Sequence, residues 1–258
     1  MGVRILALDI ETAPAKVYTW GLYEQNIGTN QIVDDGYVLC WCAKWLGEKK
    51  IMSDALPNYT LYTKSPRNDR EIAKSIWKVL DQAHIVVTHN GNKFDLKWLN
   101  TIFVKHGLPP ATNYKSVDTY SEVKRRFHFI SNKLDFICKK LGLGQKIRTG
   151  GFELWEDVLA GKKSAWSKMV TYCKRDVQIL ENLYLVLRPH MYAHPNIAVY
   201  EDGEVVKCPA CGSLRYKNHG RVHLKKGIYM RLICRDCRKA FYDPSNIIVK
   251  RTVPTISC

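Results

Sequence analysis

The chain has 258 residues, 46% of them hydrophobic, enough for one full globular core and a small appendage. Its 40 Lys plus Arg against 24 Asp plus Glu leave a formal charge of +16, which favours a polyanionic partner such as nucleic acid, because neutralising phosphates releases condensed counterions. A membrane span is excluded by the lack of any long apolar run, a secretory leader by an N-terminus that enters a strand-like segment at once, and a disulfide framework by nine cysteines with two tight C-x-x-C pairs; a reducing, cytoplasmic location follows.

In chain order, Val3 to Glu11 is rich in branched apolar residues and reads as a buried strand. Asp9 and Glu11, two apart at its end, point to one face. Tyr37 to Leu46 and Ile51 to Leu56 read as two more strands joined around Gly47. From Arg70 to Ala83, Ile72, Ile76, Val79 and Leu80 recur at helical spacing, with Asn68 or Asp69 as N-cap. A strand from Ile85 to Thr88 delivers His89 and Asn90 to a loop, where Gly91 permits a close approach. The next helix begins near Phe94 and Asp95 and stops before Gly107 and Pro109-Pro110, so Asp95 lies in a first helical turn. Asp118, in SVDTY, falls at a strand-like position. Further helices run from Lys133 to Leu141 and from Ala165 to Leu187, the second stopped by Pro189. In that last helix Tyr172 and Asp176 are one turn apart and share a face, while Met169, Val170, Val177, Leu180, Leu183, Tyr184 and Leu187 make a core stripe.

This order predicts an α/β domain with a mixed central sheet over residues 1–190, a linker at 191–206, a small cysteine module at 207–245 and a tail at 246–258. The segment Gly161 to Ser164 is not a phosphate loop, because Glu156 stands where that motif requires glycine.

Carboxylates are oxygen ligands that suit Mg²⁺ or Mn²⁺, and two such ions about 3.5–4 Å apart cleave phosphodiesters. Singly, an Asp-x-Glu at a strand end, an Asp in a first helical turn and a Tyr-x-x-x-Asp pair are weak signals. Their succession in LALDIET, HNGNKFD and YCKRD resembles the DEDD superfamily of 3′–5′ exonucleases, in the branch with tyrosine in its third motif, which includes polymerase proofreading domains and RNase D.

The resemblance spans residues 3 to 190 and implies the RNase H-like exonuclease fold, with Asp9, Glu11, Asp95 and Asp176 holding two Mg²⁺ or Mn²⁺ ions and Tyr172 orienting the attacking water. Asn90 stands in the His-Asn-Gly-x-x-Phe-Asp pattern of family B proofreading domains, which implies contact with the terminal nucleotide; Phe94 packs or stacks on a base. His89 reads as structural, Asp118 as a neighbour outside the ligand set, and Gly142, Gly144 and Lys146 as a basic loop after a helix. The implied substrate is single-stranded DNA or DNA with a free 3′ end. RNA trimming, structure-selective endonuclease activity and non-catalytic nucleic-acid binding are the alternatives, and possession of all four carboxylates counts against the last.

Cys208, Cys211, Cys234 and Cys237 form two C-x-x-C knuckles, a donor set for one closed, structural Zn²⁺ site. Arg215, Lys217, Arg221, Lys225, Lys226 and Arg231 lie between the knuckles, interleaved with Tyr216, His219, His223 and Tyr229. The segment resembles zinc ribbons of insertion-sequence transposases, which implies a grip on nucleic acid through phosphates and stacking; a partner-binding or purely stabilising ribbon is the other reading. An exonuclease with such a ribbon resembles proteins of phages and mobile elements. Cys40, Cys42, Cys138 and Cys173 lack partners at ligand spacing and are expected to be buried.

Overall fold

The apolar run that opens the chain forms β1 (Ile5–Thr12) in the computed structural model, which describes residues 2–200 and 205–250. Ile5, Leu6, Ala7, Leu8 and Ile10 are all buried, the pattern of a central strand covered on both faces. The chain then makes a two-strand flap, β2 (Lys16–Val17) with β3 (Ile32–Asp34), and returns along β4 (Val38–Trp45) and β5 (Met52–Ala55). A short α1 (Thr60–Lys64) precedes α2 (Arg70–Leu80), which buries Ile72, Ala73, Ile76 and Leu80. Next come β6 (Ile85–Thr88), α3 (Asp95–Lys105), β7 (Lys115–Asp118), α4 (Thr119–Arg126) and α5 (Leu134–Lys140). α6 (Glu153–Leu159) and the 25-residue α7 (Lys163–Leu187) follow.

The sheet order is β5-β4-β1-β6-β7. β1 pairs antiparallel with β4 and parallel with β6, and β7 continues parallel to β6. This is the mixed sheet flanked by helices that the element order predicts. The central position of β1 brings Asp9 and Glu11 out at the sheet's middle, where helices on either side can reach them. Of the two alternatives Asn68 and Asp69 for the N-cap of α2, Asp69 stands at that position but its side chain makes no cap bond. Its fully buried carboxylate accepts the Val38 N–H at 3.1 Å and pairs with His106 Nε2 at 2.6 Å, tying β4 and the end of α3 to the start of α2. Asn68 Oδ1 accepts the Arg70 N–H instead.

The chain divides after Tyr184: Arg4–Tyr184 make one unit, and Leu185–Cys258 with Met1–Val3 make the other. In the second, a three-stranded antiparallel sheet of order β10-β9-β8 comprises β8 (Tyr216–Leu224), β9 (Gly227–Cys234) and β10 (Ala240–Lys250). β10 runs past residue 245, where the sequence suggests the ribbon's end, because Ile247 and Val249 find partners in Tyr229 and Ile228 across an irregular ladder. Within the expected linker, Ile197 is buried and its N–H donates to the Pro209 carbonyl, so this stretch packs into the same unit. Residues 201–204 of that linker and 251–258 of the expected tail lie outside the described residues. Among the described residues no helix is long and apolar enough to cross a membrane.

Candidate metal centres

Three segments distant in sequence converge on the end of β1. Asp95, in the first turn of α3, accepts the Ile10 N–H through Oδ1 at 3.1 Å, which docks that helix on the strand between Asp9 and Glu11. From α7, the Cys173 thiol donates to the Asp9 carbonyl at 3.5 Å, and one turn on either side of this contact the helix presents Met169 to the core and Asp176 to the site. Asp95 and Asp176 are buried, as are Cys173 and, on the neighbouring strand β4 opposite Glu11 and Asp9, Cys40 and Cys42. The four expected carboxylates and Tyr172 are therefore neighbours.

Burial and mutual repulsion dominate the electrostatics. Desolvation, then the charges of Asp95, Glu11 and Asp176, hold the Asp9 carboxyl well above its ordinary range. Desolvation followed by Asp176 pushes Glu11 up to about 8, and desolvation pushes Asp95 up to about 7 against the hydrogen bonds it accepts. Asp176 is raised by burial too. Asp9 Oδ2 and Asp176 Oδ1 are buried with no hydrogen-bond partner, an arrangement that costs free energy unless something fills their lone pairs. Hard oxygen donors crowded together with too little positive charge to balance them fit Mg²⁺ or Mn²⁺. The Cys173 sulfur lies within 4.8 Å of the donor atoms of Asp9 and Glu11, but burial raises its thiol and its proton is committed to a carbonyl, so it packs and does not ligate.

These shifts set a pH dependence. Between the ordinary values of 4.5 for Glu11 and 3.8 for Asp95 and their folded values of about 8 and about 7, the folded state holds protons that the unfolded chain has lost. The stability belonging to the protonated carboxyls is thus full at acid pH and lost as pH rises through 8. In EDTA the thermal midpoint is expected to fall by roughly 5 °C between weakly acid and weakly alkaline pH, and Mg²⁺ or Mn²⁺ to abolish the fall. A midpoint that rises with pH in EDTA would contradict this electrostatic picture.

Among the described residues, Lys146 brings a cation of the chain itself to the cluster. Lys146 Nζ lies 2.5 Å from Asp176 Oδ2 and 3.0 Å from the Tyr172 hydroxyl, and 5.1 Å from that ring's centroid. Burial opposes its charge, yet Asp176 and Tyr172 hold the ammonium protonated above its ordinary range. Sequence reading places Lys146 only in a basic loop; nothing in its spacing marks the residue. Its approach depends on Gly144, whose φ of +115° is left-handed and where a Cβ would lie 2.6 Å from the Arg175 guanidinium on α7.

Tyr172 remains a phenol, because desolvation pushes it up to about 12 in spite of the Lys146 ammonium. The Trp155 ring meets it edge-on at 6.4 Å, and the Trp155 indole N–H donates to the Thr12 carbonyl at 3.1 Å. The tyrosine is thereby fixed between α6 and the end of β1, in a position to orient a neighbour and not to exchange a proton at neutral pH. Trp155 also escapes sequence reading, since α6 is short and weakly patterned.

The loop after β6 is organised by Asp118. Its carboxylate accepts the Asn90 and Asn92 N–H groups at 2.8 and 3.3 Å and also those of Tyr120 and Ser121, capping α4. Asn90 accordingly holds a left-handed φ of +70°. Asp118 is a loop anchor with no free role as a ligand. His89 bridges Thr119 Oγ1 and the Asn132 carbonyl, both at 2.9 Å, and burial lowers its pKa, so it is a neutral structural residue. Phe94, next to Asp95, is 40% exposed, open to solvent and not packed away.

Residues 51–188, more than half of the chain, match the RNase_H superfamily. The chain belongs to that superfamily. The match takes in Asp95, Tyr172 and Asp176 and starts after the strand that carries Asp9 and Glu11. This RNase_H-superfamily chain is also 30% identical over 122 residues to the DNA polymerase III PolC-type of Ureaplasma parvum serovar 3 (strain ATCC 700970), an alignment covering 43% of the chain and 8% of that polymerase. The structure of the family B DNA polymerase from the hyperthermophilic archaeon Pyrobaculum calidifontis superposes with a TM-score of 0.51 at 17% identity, over 73% of this chain and 25% of that one. At that identity the second likeness is one of fold. The superfamily member described here spans a small part of either polymerase.

In its C-terminal unit the superfamily member carries a second donor cluster. The sulfurs of Cys208, Cys211, Cys234 and Cys237 lie within 4.8 Å of one another, Cys208 to Cys237 at 3.5 Å and Cys211 to Cys234 at 3.6 Å. A tetrahedral ion with Zn–S bonds of about 2.3 Å would set neighbouring sulfurs about 3.8 Å apart, so the cluster already has the size of a Zn²⁺ site. The Cys208–Cys237 contact, in which either sulfur can donate, draws the Cys237 thiol down to about 5, which favours a thiolate there. The cluster is part of the module's small core: Cys208, Ala210 and Cys234 are buried together, with Cys211, Cys237 and Phe241 packed against them, and Tyr229 and Leu232 of β9 are buried as well.

Proposed function

We propose that this chain is a metal-dependent 3′–5′ exonuclease that removes nucleotides from DNA ends. The observation that carries the reading is the convergence of four carboxylates, Asp95 and Asp176 buried and Asp9 and Asp176 with orphaned oxygens, around a phenol that stays protonated. Asp9, Glu11, Asp95 and Asp176 would hold two Mg²⁺ or Mn²⁺ ions, which supply an acidified water and neutralise charge growing on the phosphate. The likeness to two DNA polymerases supports DNA as the polymer.

The chain's own groups do the positioning. The Tyr172 hydroxyl, held by Lys146 and packed against Trp155, orients the attacking water. Lys146 offsets part of the carboxylate charge and fixes both Tyr172 and Asp176. The turn at Asn90 and the open ring of Phe94 hold the terminal nucleotide beside Asp95. With Lys146→Ala, turnover is expected to fall about tenfold to a hundredfold, and half-activation to need less Mg²⁺, because no ammonium competes for Asp176. An unchanged turnover would remove Lys146 from the positioning set.

The four-cysteine module would hold a structural Zn²⁺ and add a grip on the strand. Lys217, Arg221, Lys225, Lys226 and Arg231 are all exposed on β8, β9 and the turn joining them. Removing residues 200–258 is expected to weaken DNA binding and to lower the salt slope by about 0.9 for each phosphate that the module neutralises. An unchanged affinity and slope would make the module stabilising only.

The overall reading is tested with matched 3′-labelled DNA and RNA strands. Hydrolysis of the DNA strand that requires Mg²⁺ or Mn²⁺ and stops in EDTA is expected. Hydrolysis indifferent to EDTA, or confined to RNA, would overturn it.

A further inference from the structure

Four large apolar side chains that are at least 72% exposed lie together in the flap between β2 and β3, whereas Val104, Ile130 and Tyr192 are exposed singly elsewhere. Trp20 is 99% exposed, Leu22 89%, Tyr23 84% and Tyr18 72%. Scattered apolar residues on a surface are ordinary, but a group of this size on one element marks a surface that meets something.

The flap is a built element. The Tyr18 N–H donates to the Gln31 carbonyl at 2.9 Å, and the Gln31 amide side chain returns a bond to the Tyr18 carbonyl at 3.0 Å while its oxygen accepts the Gly28 N–H at 2.8 Å. Asp34 pairs with Arg67. The stem is seated beside the carboxylates. Its first strand begins a few residues after Glu11, and the Ala13 N–H donates to the Tyr37 carbonyl at 2.8 Å. At Gly36, with a left-handed φ of +87°, a Cβ would lie 2.6 Å from the Ala13 carbonyl and 3.2 Å from the Trp98 ring, which sits one turn along α3 from Asp95.

We propose that Tyr18, Trp20 and Tyr23 form a stacking platform for unpaired bases of the nucleic-acid strand whose 3′ end occupies the carboxylate site. The proposal rests on the nuclease reading. A strand ending at Asp9, Glu11 and Asp95 runs out past the stem, and flat aromatic faces accept any base, as a processing site for arbitrary sequence needs. The chain's charge of +16 draws a polyanion to the protein as a whole. The flap itself is not basic: Lys16 is offset by Glu24 and Asp34. Its contribution is therefore stacking, and unlike the grip of the C-terminal module it persists at high salt.

The test is the Kd of a short 5′-labelled DNA strand, read by fluorescence anisotropy in Ca²⁺ to suppress hydrolysis. The double variant Trp20→Ala/Tyr23→Ala is expected to bind about tenfold to a hundredfold more weakly, equally at low and high salt, with an unchanged thermal midpoint because both rings are solvated. Trp20→Phe should restore much of the loss. Abasic sites near the 3′ end should weaken binding to the wild type and have little effect on the double variant. Equal Kd values, or equal sensitivity to abasic sites, would overturn the platform. So would an unchanged Kd accompanied by loss of self-association in light scattering, which would make the rings a protein interface. A wild type that hydrolyses strands while these couplings are absent refutes the flap alone; a wild type that neither binds nor hydrolyses any strand refutes the nuclease reading with it.

Discussion

Asp9→Asn and Asp176→Asn are each expected to lower degradation of a 3′-labelled oligonucleotide in Mg²⁺ by at least about a thousandfold while strand binding persists. Each side chain presents a buried oxygen that no group of the described residues satisfies, and an amide in its place removes both the charge and half the ligand capacity at nearly constant volume. The same substitutions relieve repulsion among four carboxylates whose pKa values are all raised, so in EDTA the variants should melt higher than the wild type. Activity lost together with stability gained separates a missing ligand from a misfolded chain. Undiminished degradation would end the two-metal assignment.

The second large effect belongs to the cysteines. Cys208→Ser, or a strong chelator, is expected to unfold the C-terminal unit, because Cys208 and Cys234 are themselves members of its small buried cluster with Ala210, and a structural Zn²⁺ contributes about 10–16 kcal/mol to modules of this kind. Limited proteolysis should then cut within β8 to β10 and leave residues 4–184 intact. Elemental analysis of the untreated protein should find one Zn²⁺ per chain. Full protease resistance after chelation would show that the sheet closes without the ion.

Much of the candidate site is legible in the sequence because it lies on elements with strong periodicity. β1 is a continuous apolar run that ends in Asp9 and Glu11, and α7 shows a long core stripe with Tyr172 and Asp176 beside it. What escapes is held by tertiary geometry. Lys146 reaches Asp176 because Gly144 lets a loop lie against α7. Asp69 looks like a cap, yet it is buried and joins three elements. The flap has strands of only two and three residues, and a glutamine side chain holds it together, so no alternating pattern announces it. Asp118 reads in the sequence as a neighbour outside the ligand set, and what the sequence does not show is that it organises the backbone of the loop that carries Asn90.

The central claim, end-directed hydrolysis at the carboxylate cluster, is tested most directly by a time course on a 5′-labelled DNA strand in Mg²⁺, free or chemically blocked at its 3′ end. The expected result is a ladder that shortens one nucleotide at a time from the free 3′ end, with no reaction on the blocked strand. Internal cuts, or equal degradation of the blocked strand, would contradict it.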